Sequence, residues 1–248
     1  MNKEIKLPRK GRLIVVTDIH GNYSDYEEYL KLWNREDKDS HIVFVGDLIH
    51  STLGYDQSVE LIDDVIKKTK EYDNFHVLLG NHEWAHITDT DIFKNYKNQK
   101  WEFEKLIEIK KGSLEPTLSE YIEFFKTLPY FIKTENGVFI SHTGPSRNVK
   151  SMDDYEKIFD DDYENPILYD FLWNRPGDYT TADVDNFLDI IGSNCMIIGH
   201  NVVDGFKKIG NQIIITSNYH TDNKTYFDIN LERQINSMDK LMEYMKFL

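Results

Sequence analysis

Short apolar runs recur along the chain, at residues 13–17, 41–45, 75–79, 137–141, 195–198 and 212–216, and each closes on a polar or glycine-containing loop. Runs of this length bounded by turn residues predict buried strands. Between the first three lie stretches with helical spacing, 23–33 and 58–72, which is the strand, helix, strand rhythm of an α/β layer. From residue 137 onward shorter strands and turns dominate, with a helix expected near 182–191. A C-terminal helix is predicted over about 234–248, where Ile235, Met238, Leu241, Met242, Met245 and Leu248 share one face that would pack on the body. The expected class is α/β (α+β), a mixed set of strands covered by helices. Polar text bearing Lys and Asn, followed by a periodic segment at 118–128, breaks the rhythm and predicts a helical insert over about 84–128. It follows directly on Gly80-Asn81-His82-Glu83, so it either overhangs that loop or serves packing alone.

A length of 248 residues suits one domain, taken as 1–248 with that insert, and suffices for a substantial core. Charge changes the picture more. Acidic residues number 43 against 29 basic ones, and the resulting net charge of −14 repels nucleic-acid backbones and anionic membranes. No extended nucleic acid and no membrane is expected as a partner. Any phosphate group must be captured locally, and a cluster of divalent cations is one way to do so. Cys195 is the only cysteine, which excludes an intrachain disulfide and suits a reducing, cytoplasmic compartment. Lys3, Lys6, Arg9 and Lys10 open the chain without an apolar segment of signal-peptide length after them, and no run is long enough to span a membrane. No motif speaks to oligomeric state.

Side chains able to bind metal gather at the C-terminal ends of the predicted strands: Asp18 and His20, then Asp47, then Asn81 and His82, then His142, then His200. Ligand sites of α/β layers collect there because the strand fixes the side chain while the loops leave room above it. Singly, each residue has a plainer use. Asp18 could cap a helix, Gly46-Asp47 could be a turn, and His142 or His200 could be a hydrogen-bonded interior imidazole. As a set, each following an apolar strand, they point to a metal site. Asp18 and His20 stand two apart, so a strand continuing that far would turn both to one side. Carboxylate, amide and imidazole suit borderline divalent ions such as manganese, iron or zinc. Six such ligands exceed what one ion takes, which argues for a pair sharing a carboxylate. Two ions about 3.5–4 Å apart acidify a bridging water and clamp an in-line displacement at phosphorus.

Asp18-Ile19-His20-Gly21, Gly46-Asp47, Gly80-Asn81-His82-Glu83, Ser141-His142 and Gly199-His200, in this order, resemble the motifs of the calcineurin-like metallophosphoesterase superfamily. Within it they are similar to the serine/threonine phosphoprotein phosphatase branch, of the bacteriophage lambda phosphatase type. The resemblance implies two packed mixed β-sheets flanked by helices, a four-layer sandwich. It places Asp18, His20 and Asp47 on one ion, and Asp47, Asn81, His142 and His200 on the other. It further implies attack by a metal-bridging hydroxide, with His82 as the general acid that protonates the leaving oxygen. Two divalent ions are the implied cofactors, manganese first, with iron, zinc or nickel as alternatives. Trp173-Asn174-Arg175 resembles a segment whose arginine binds phosphate, making Arg175 the expected clamp. Arg147, and Tyr219 in Ser217-Asn218-Tyr219 with His220 beside it, are further candidates for substrate contact.

One stretch departs from the branch. Where it reads Gly-Asp-x-x-Asp-Arg-Gly, this chain reads Gly46-Asp47-Leu48-Ile49-His50-Ser51-Thr52, without the Asp that orients the acid or the Arg that holds phosphate. His50 is either a substitute hydrogen-bond partner of His82 or a plain loop residue. The expected function is hydrolysis of phosphate monoesters on a protein or a small molecule. One alternative is phosphodiester or dinucleoside-polyphosphate hydrolysis, against which Gly199-His200-Asn201-Val202 ends on valine where many nuclease members carry Gly-His-x-His. The other is a non-catalytic, metal-bound interaction module.

Overall fold

The computed structural model describes residues 3–51, 55–94, 96–160, 162–218 and 223–248. In chain order the strands are β1 (Glu4–Leu7), β2 (Arg12–Val16), β3 (Ser40–Phe44), β4 (Phe75–Val77), β5 (Phe93–Lys94), β6 (Lys97–Asn98), β7 (Phe131–Thr134), β8 (Val138–Ser141), β9 (Cys195–Ile198), β10 (Phe206–Ile209), β11 (Gln212–Ile215), β12 (Thr225–Asn230) and β13 (Met245–Phe247). The helices are α1 (Tyr23–Leu32), α2 (Ser58–Glu71), α3 (Asn81–Ile87), α4 (Gln99–Lys111), α5 (Thr117–Thr127), α6 (Met152–Glu156), α7 (Pro166–Trp173), α8 (Thr181–Ile191) and α9 (Met238–Met242). One mixed sheet has the order β13-β12-β2-β3-β4 and the other β1-β7-β8-β9-β11-β10, with β5 and β6 paired apart. Strands β2, β3 and β4 run parallel, Val15 beside Val43 and Phe44 beside Val77, as do β8 and β9 in the second sheet.

Alternation along the strands explains why the sheets stack. Leu13, Val15, Val43 and Leu78 of one sheet meet Ile132, Ile140, Ile197 and Ile213 of the other in a single buried cluster. The intervening Ile14, Val16, Ile42 and Phe44 pack with Tyr26, Tyr29, Ile62 and Val65 of α1 and α2, while Phe139, Met196 and Ile198 pack with Phe171, Phe187 and Leu188 of α7 and α8. Both faces of each sheet are covered, so the strands read as continuous apolar runs. The expected two mixed sheets flanked by helices are what the chain builds. Residues 84–128 carry most of α3, the β5-β6 hairpin, α4 and α5, and bury Phe103, Ile107, Tyr121 and Phe125 in the same core. Among the described residues no helix is long and apolar enough to cross a membrane.

The helix predicted over about 234–248 is corrected. Only Met238–Met242 is helical, and Met245–Phe247 forms β13, paired antiparallel with β12 through Phe227 and Met245, and Thr225 and Phe247. Ile235, Met238 and Leu241 are buried, but Ile235 precedes the helix, so helical spacing placed only Met238 and Leu241. Beyond them, pairing with β12 satisfies backbone groups that would otherwise stand unpaired on a sheet edge.

Candidate metal centre

Strands β2, β3 and β4 end side by side, and the segments leaving them carry Asp18 and His20, Asp47 and His50, and Asn81 and His82. β8 and β9 of the other sheet lead into His142 and His200. Asp18, His20, Asp47, His50 and His200 have φ of 20, 47, 52, 67 and 62°, five of the seven described non-glycine residues with positive φ. Such backbone costs a non-glycine residue about 1–2 kcal/mol, so something must hold it. The N–H groups of Ile19 and His20 both donate to Asp47 O (3.0 and 2.9 Å), and that of Gly21 donates to Leu48 O (2.7 Å). The buried Glu83 carboxylate accepts from the N–H of Asp47 (2.9 Å), Leu48 (2.8 Å) and Gly80 (3.1 Å), tying the second loop to the start of α3. Asp18 and His20 therefore do not share a strand face as expected. β2 stops at Val16, and a left-handed turn sets them instead.

Close approach explains two of the motif glycines. A Cβ on Gly80 would stand 2.3 Å from Asp47 N and 2.4 Å from its Oδ1, and one on Gly199 would stand 2.1 Å from Asp18 Oδ2.

Two groups of side chains, His20 with Asp47 and His82, and Asp47 with His142 and His200, hold their donor atoms within 4.8 Å of one another. Asp47 belongs to both. Its Oδ2 faces His20 Nε2 (3.9 Å) and His82 Nε2 (3.8 Å), while Oδ1 faces His142 Nε2 (3.4 Å). One end of the Asn81 carboxamide lies 3.0 Å from both His142 Nε2 and His200 Nδ1, and 3.2–3.3 Å from the Asp47 oxygens. Buried polar atoms this close demand a proton or a cation among them. His142 Nδ1 meets Val45 O at 2.8 Å and His20 Nδ1 meets Ile49 O at 3.0 Å, contacts that turn both Nε2 atoms toward Asp47. His200 turns its Nδ1 to His142 Nε2 (3.2 Å), and its buried Nε2 has no hydrogen-bond partner among the described residues. The Asp18 carboxylate accepts from the His200 N–H through both oxygens (3.0 and 2.9 Å), at the edge of this cluster. A set of carboxylates, carboxamide and imidazoles gathered this closely fits a borderline divalent cation.

The charges agree with that fit. Burial pushes the Asp47 carboxyl up, but His142, His82 and His20 outweigh it and hold the group well below the usual carboxylate range. Burial dominates at Asp18 and raises it. Burial also pulls His142 down, yet the charge of Asp47 and its hydrogen bond carry the imidazole up to about 9. His200, buried and beside His142, is driven well below the ordinary imidazole value. Positive charge is thus wanted next to Asp47.

His82 looks both ways. Its Nε2 faces Asp47, and its Nδ1 lies 2.6 Å from His50 Nδ1, whose Nε2 in turn lies 2.9 Å from His86 Nε2. Between the two readings of His50, the structure makes it the hydrogen-bond partner of His82.

Residues 11–216 match the family model described as calcineurin-like phosphoesterase. The chain belongs to that family. Calcineurin-like phosphoesterases are metal-dependent, and among the described residues the groups around Asp47 could hold metal. A protein serine/threonine phosphatase from Saccharomyces cerevisiae has a similar structure, with a TM-score of 0.74 and 16% identity over 92% of this chain and 76% of that one. So has the cold-active protein-tyrosine phosphatase of a psychrophilic Shewanella, at 0.65 and 16% over 92% and 79%. A protein described as a candidate diadenosine tetraphosphatase follows at 0.51 and 18% over 92% and 93%. At these identities the likeness is one of fold.

The remaining sequence candidates of this calcineurin-like phosphoesterase fall on different places. Arg175, just past α7, puts Nη1 3.3 Å from Asn201 Oδ1, and its charge acts on His200. Arg147 is turned to Asp183 on the surface (Nε to Oδ2 3.1 Å) and not to the cluster, because the acidic cap of α8 stands beside it. Tyr219 and His220 lie outside the described residues. Cys195 is buried in β9, where desolvation raises its thiol to about 12, which suits packing and not nucleophilic chemistry. Two residues went unassigned in the sequence. Glu83 stands at the third helical position of α3, where a carboxylate reaches back to the helix start. His86 follows His82 by four, on the same helix face.

Proposed function

We propose that this calcineurin-like phosphoesterase hydrolyses phosphate monoesters, of a protein or a small molecule, with two divalent ions, manganese first among them, bound around Asp47. The Asp47 carboxylate carries the reading. Its two oxygens face separate donors, His20 and His82 on one side and His142 on the other, as a carboxylate shared by two cations would. On this reading Asp18, His20 and Asp47 hold one ion, and Asp47, Asn81, His142 and His200 the other. Ions so held supply Lewis acidity toward phosphoryl oxygens and lower the pKa of water.

Other demands fall on the protein. Arg175, exposed beside His200, offers a planar fork to two phosphate oxygens. His82 Nε2, 3.8 Å from Asp47 Oδ2, faces the reacting centre and is the donor to the leaving oxygen. The hydrogen bonds to Asp47 O and Glu83 fix the loops that carry these groups, which positioning chemistry requires. Release of p-nitrophenol from p-nitrophenyl phosphate, after chelation and readdition of manganese, iron, zinc or nickel, tests the proposal alongside bis-p-nitrophenyl phosphate. Metal-restored monoester turnover is expected. Faster cleavage of the diester would favour a phosphodiester or dinucleoside-polyphosphate hydrolase, and no turnover of either a metal-bound interaction module.

A further inference from the structure

The hairpin of the insert carries a charge arrangement that packing does not explain. β5 and β6 pair antiparallel, with Phe93 opposite Asn98 and Lys94 opposite Lys97. Residues directly opposite in such a pair share a face, and like charges placed so repel. Farther along the insert Lys100, Lys110 and Lys111 each meet a carboxylate, of Asp89, Glu60 and Asp63. Lys97, the exposed first residue of β6, makes no ion pair among the described residues, and neither does Lys105 of α4.

Both lysines border the metal centre. With His50, Ser51, Tyr55 and Leu106 they line a groove of about 370 Å³. His50 Nδ1 lies 2.6 Å from His82 Nδ1, and His82 Nε2 faces Asp47, so the groove begins one side chain behind His82. Phe103 of α4 packs edge-on against His50 and fixes the insert there. The charge of Lys94 also acts on His82. Two carboxylates share the groove. Asp56 is engaged by the N–H groups of Ser51 and Ser58 (3.3 and 2.9 Å) and by the Ser58 hydroxyl, so Glu102 alone is left to offset Lys97 and Lys105.

An anion between two opposed ammonium groups turns their repulsion into attraction, and a chain of net charge −14 needs such a spot to hold one. His82 and His200 belong to the two different groups that share Asp47. Arg175 stands with His200 and the hairpin with His82. With His82 as donor to the leaving oxygen, the groove receives whatever is attached to that oxygen.

We propose that Lys94 and Lys97 clamp a second anionic group, a phosphate or a carboxylate, carried on the leaving-group side of the substrate, so that the preferred substrates are phosphate esters bearing two anions. Such a clamp acts on binding and not on bond breaking, and its effect falls on KM. The clamp rests on the hairpin register and the groove, whereas its place on the leaving-group side also rests on the phosphatase reading above.

Calorimetry of the manganese-loaded protein with alkane bisphosphonates of increasing chain length, against the matching alkylphosphonates, reads the clamp without turnover. At one length or more the bisphosphonate should bind about tenfold more tightly, beyond the statistical advantage of two equivalent ends, as one hydrogen bond to a charged group provides. No such preference at any length overturns the proposal. Lys97→Glu sets an opposite charge across from Lys94, so the hairpin gains a cross-strand pair while the clamp loses a cation. The preference should vanish with Tm unchanged or raised, and a preference that persists overturns the proposal; the variant also controls for metal drawn off by the bisphosphonate. Lys97→Gln, which removes the charge alone, should weaken the preference in the same direction, and an undiminished preference there also counts against the clamp. Turnover of butyl phosphate and butanediol bisphosphate, and of phosphoserine peptides flanked by glutamine or by glutamate, then distinguishes a small molecule from an acidic protein segment as the source of the second anion. A lower KM at similar kcat for the more anionic member of either pair supports the clamp, and equal KM in both pairs overturns it. No turnover of any of them sinks the phosphatase reading, while phosphonate binding still decides the clamp.

Discussion

Asp47 is the side chain on which both halves of the centre converge, since each of its oxygens has its own imidazole partners. Asp47→Asn keeps the volume but replaces one oxygen by a donor that repels cations. Metal-dependent turnover should vanish and the metal content, read by atomic emission, should fall, with circular dichroism unchanged. Undiminished turnover would refute the bridging role. Glu83 tests the scaffold behind it. Its two oxygens take three backbone N–H groups, and glutamine has only one oxygen to offer them. A buried donor left unsatisfied costs about 1–3 kcal/mol, so Glu83→Gln should lower the unfolding free energy by that order, read as a drop in the denaturant midpoint at unchanged slope, and an unmoved midpoint would show the clamp to be idle. At this scale the sequence reveals Asp47 because a ligand-type residue after an apolar strand stands out. It conceals the work of Glu83, whose partners are backbone groups that no sequence pattern displays.

Element by element, legibility follows burial. Strands β2, β3, β8, β9 and β11 are covered on both faces and read as apolar runs, whereas β1, β10 and β13 lie at sheet edges and carry lysines, Lys6, Lys207, Lys208 and Lys246, that mask their strand character. The C-terminal stretch misled because spacing that suits a helix also supplied the few buried contacts of α9, and the pairing of β13 with β12 depends on residues far away. Between β3 and β4, His41 Nδ1 and His76 Nε2 lie 3.0 Å apart. Burial, and then His41, lowers His76 to about 3, and burial lowers His41 as well. An unfolded imidazole titrates near pH 6.5 (roughly). Between that value and about 3 the unfolded chain binds more protons than the folded one, so the stability from this pair is whole above the unfolded value and falls as pH drops through the window. The full loss is on the order of a few kcal/mol. His76→Gln removes the titrating ring and should flatten the decline of the urea midpoint between neutral and mildly acidic pH. An equal decline in both proteins would discharge the pair from any part in acid sensitivity.

Across the whole molecule, the donors around Asp47 come from both sheets, those at Asp18, His20, Asp47 and Asn81 from the β2-β3-β4 ends and those at His142 and His200 from the β8 and β9 ends. Motif order shows that they exist, but only the stacking of the sheets brings residues as distant in sequence as Asp47 and His200 within 4.8 Å. A cation bound among them therefore engages the folded chain and not the unfolded one, and it joins the sheets where their loops meet. It also offsets part of a net charge of −14. Such a ligand stabilises by RT ln(1 + [L]/Kd), about 2.7 kcal/mol at a hundredfold excess over Kd. For a chain of this size each kcal/mol moves the midpoint by about 2–4 °C, so manganese should raise Tm by about 5–10 °C over protein held in a chelator. The rise should grow with manganese concentration and shrink in Asp47→Asn, which separates binding at this centre from loose association with the acidic surface. A Tm indifferent to manganese and chelator alike would mean that the convergence of the two sheets on Asp47 holds no ion.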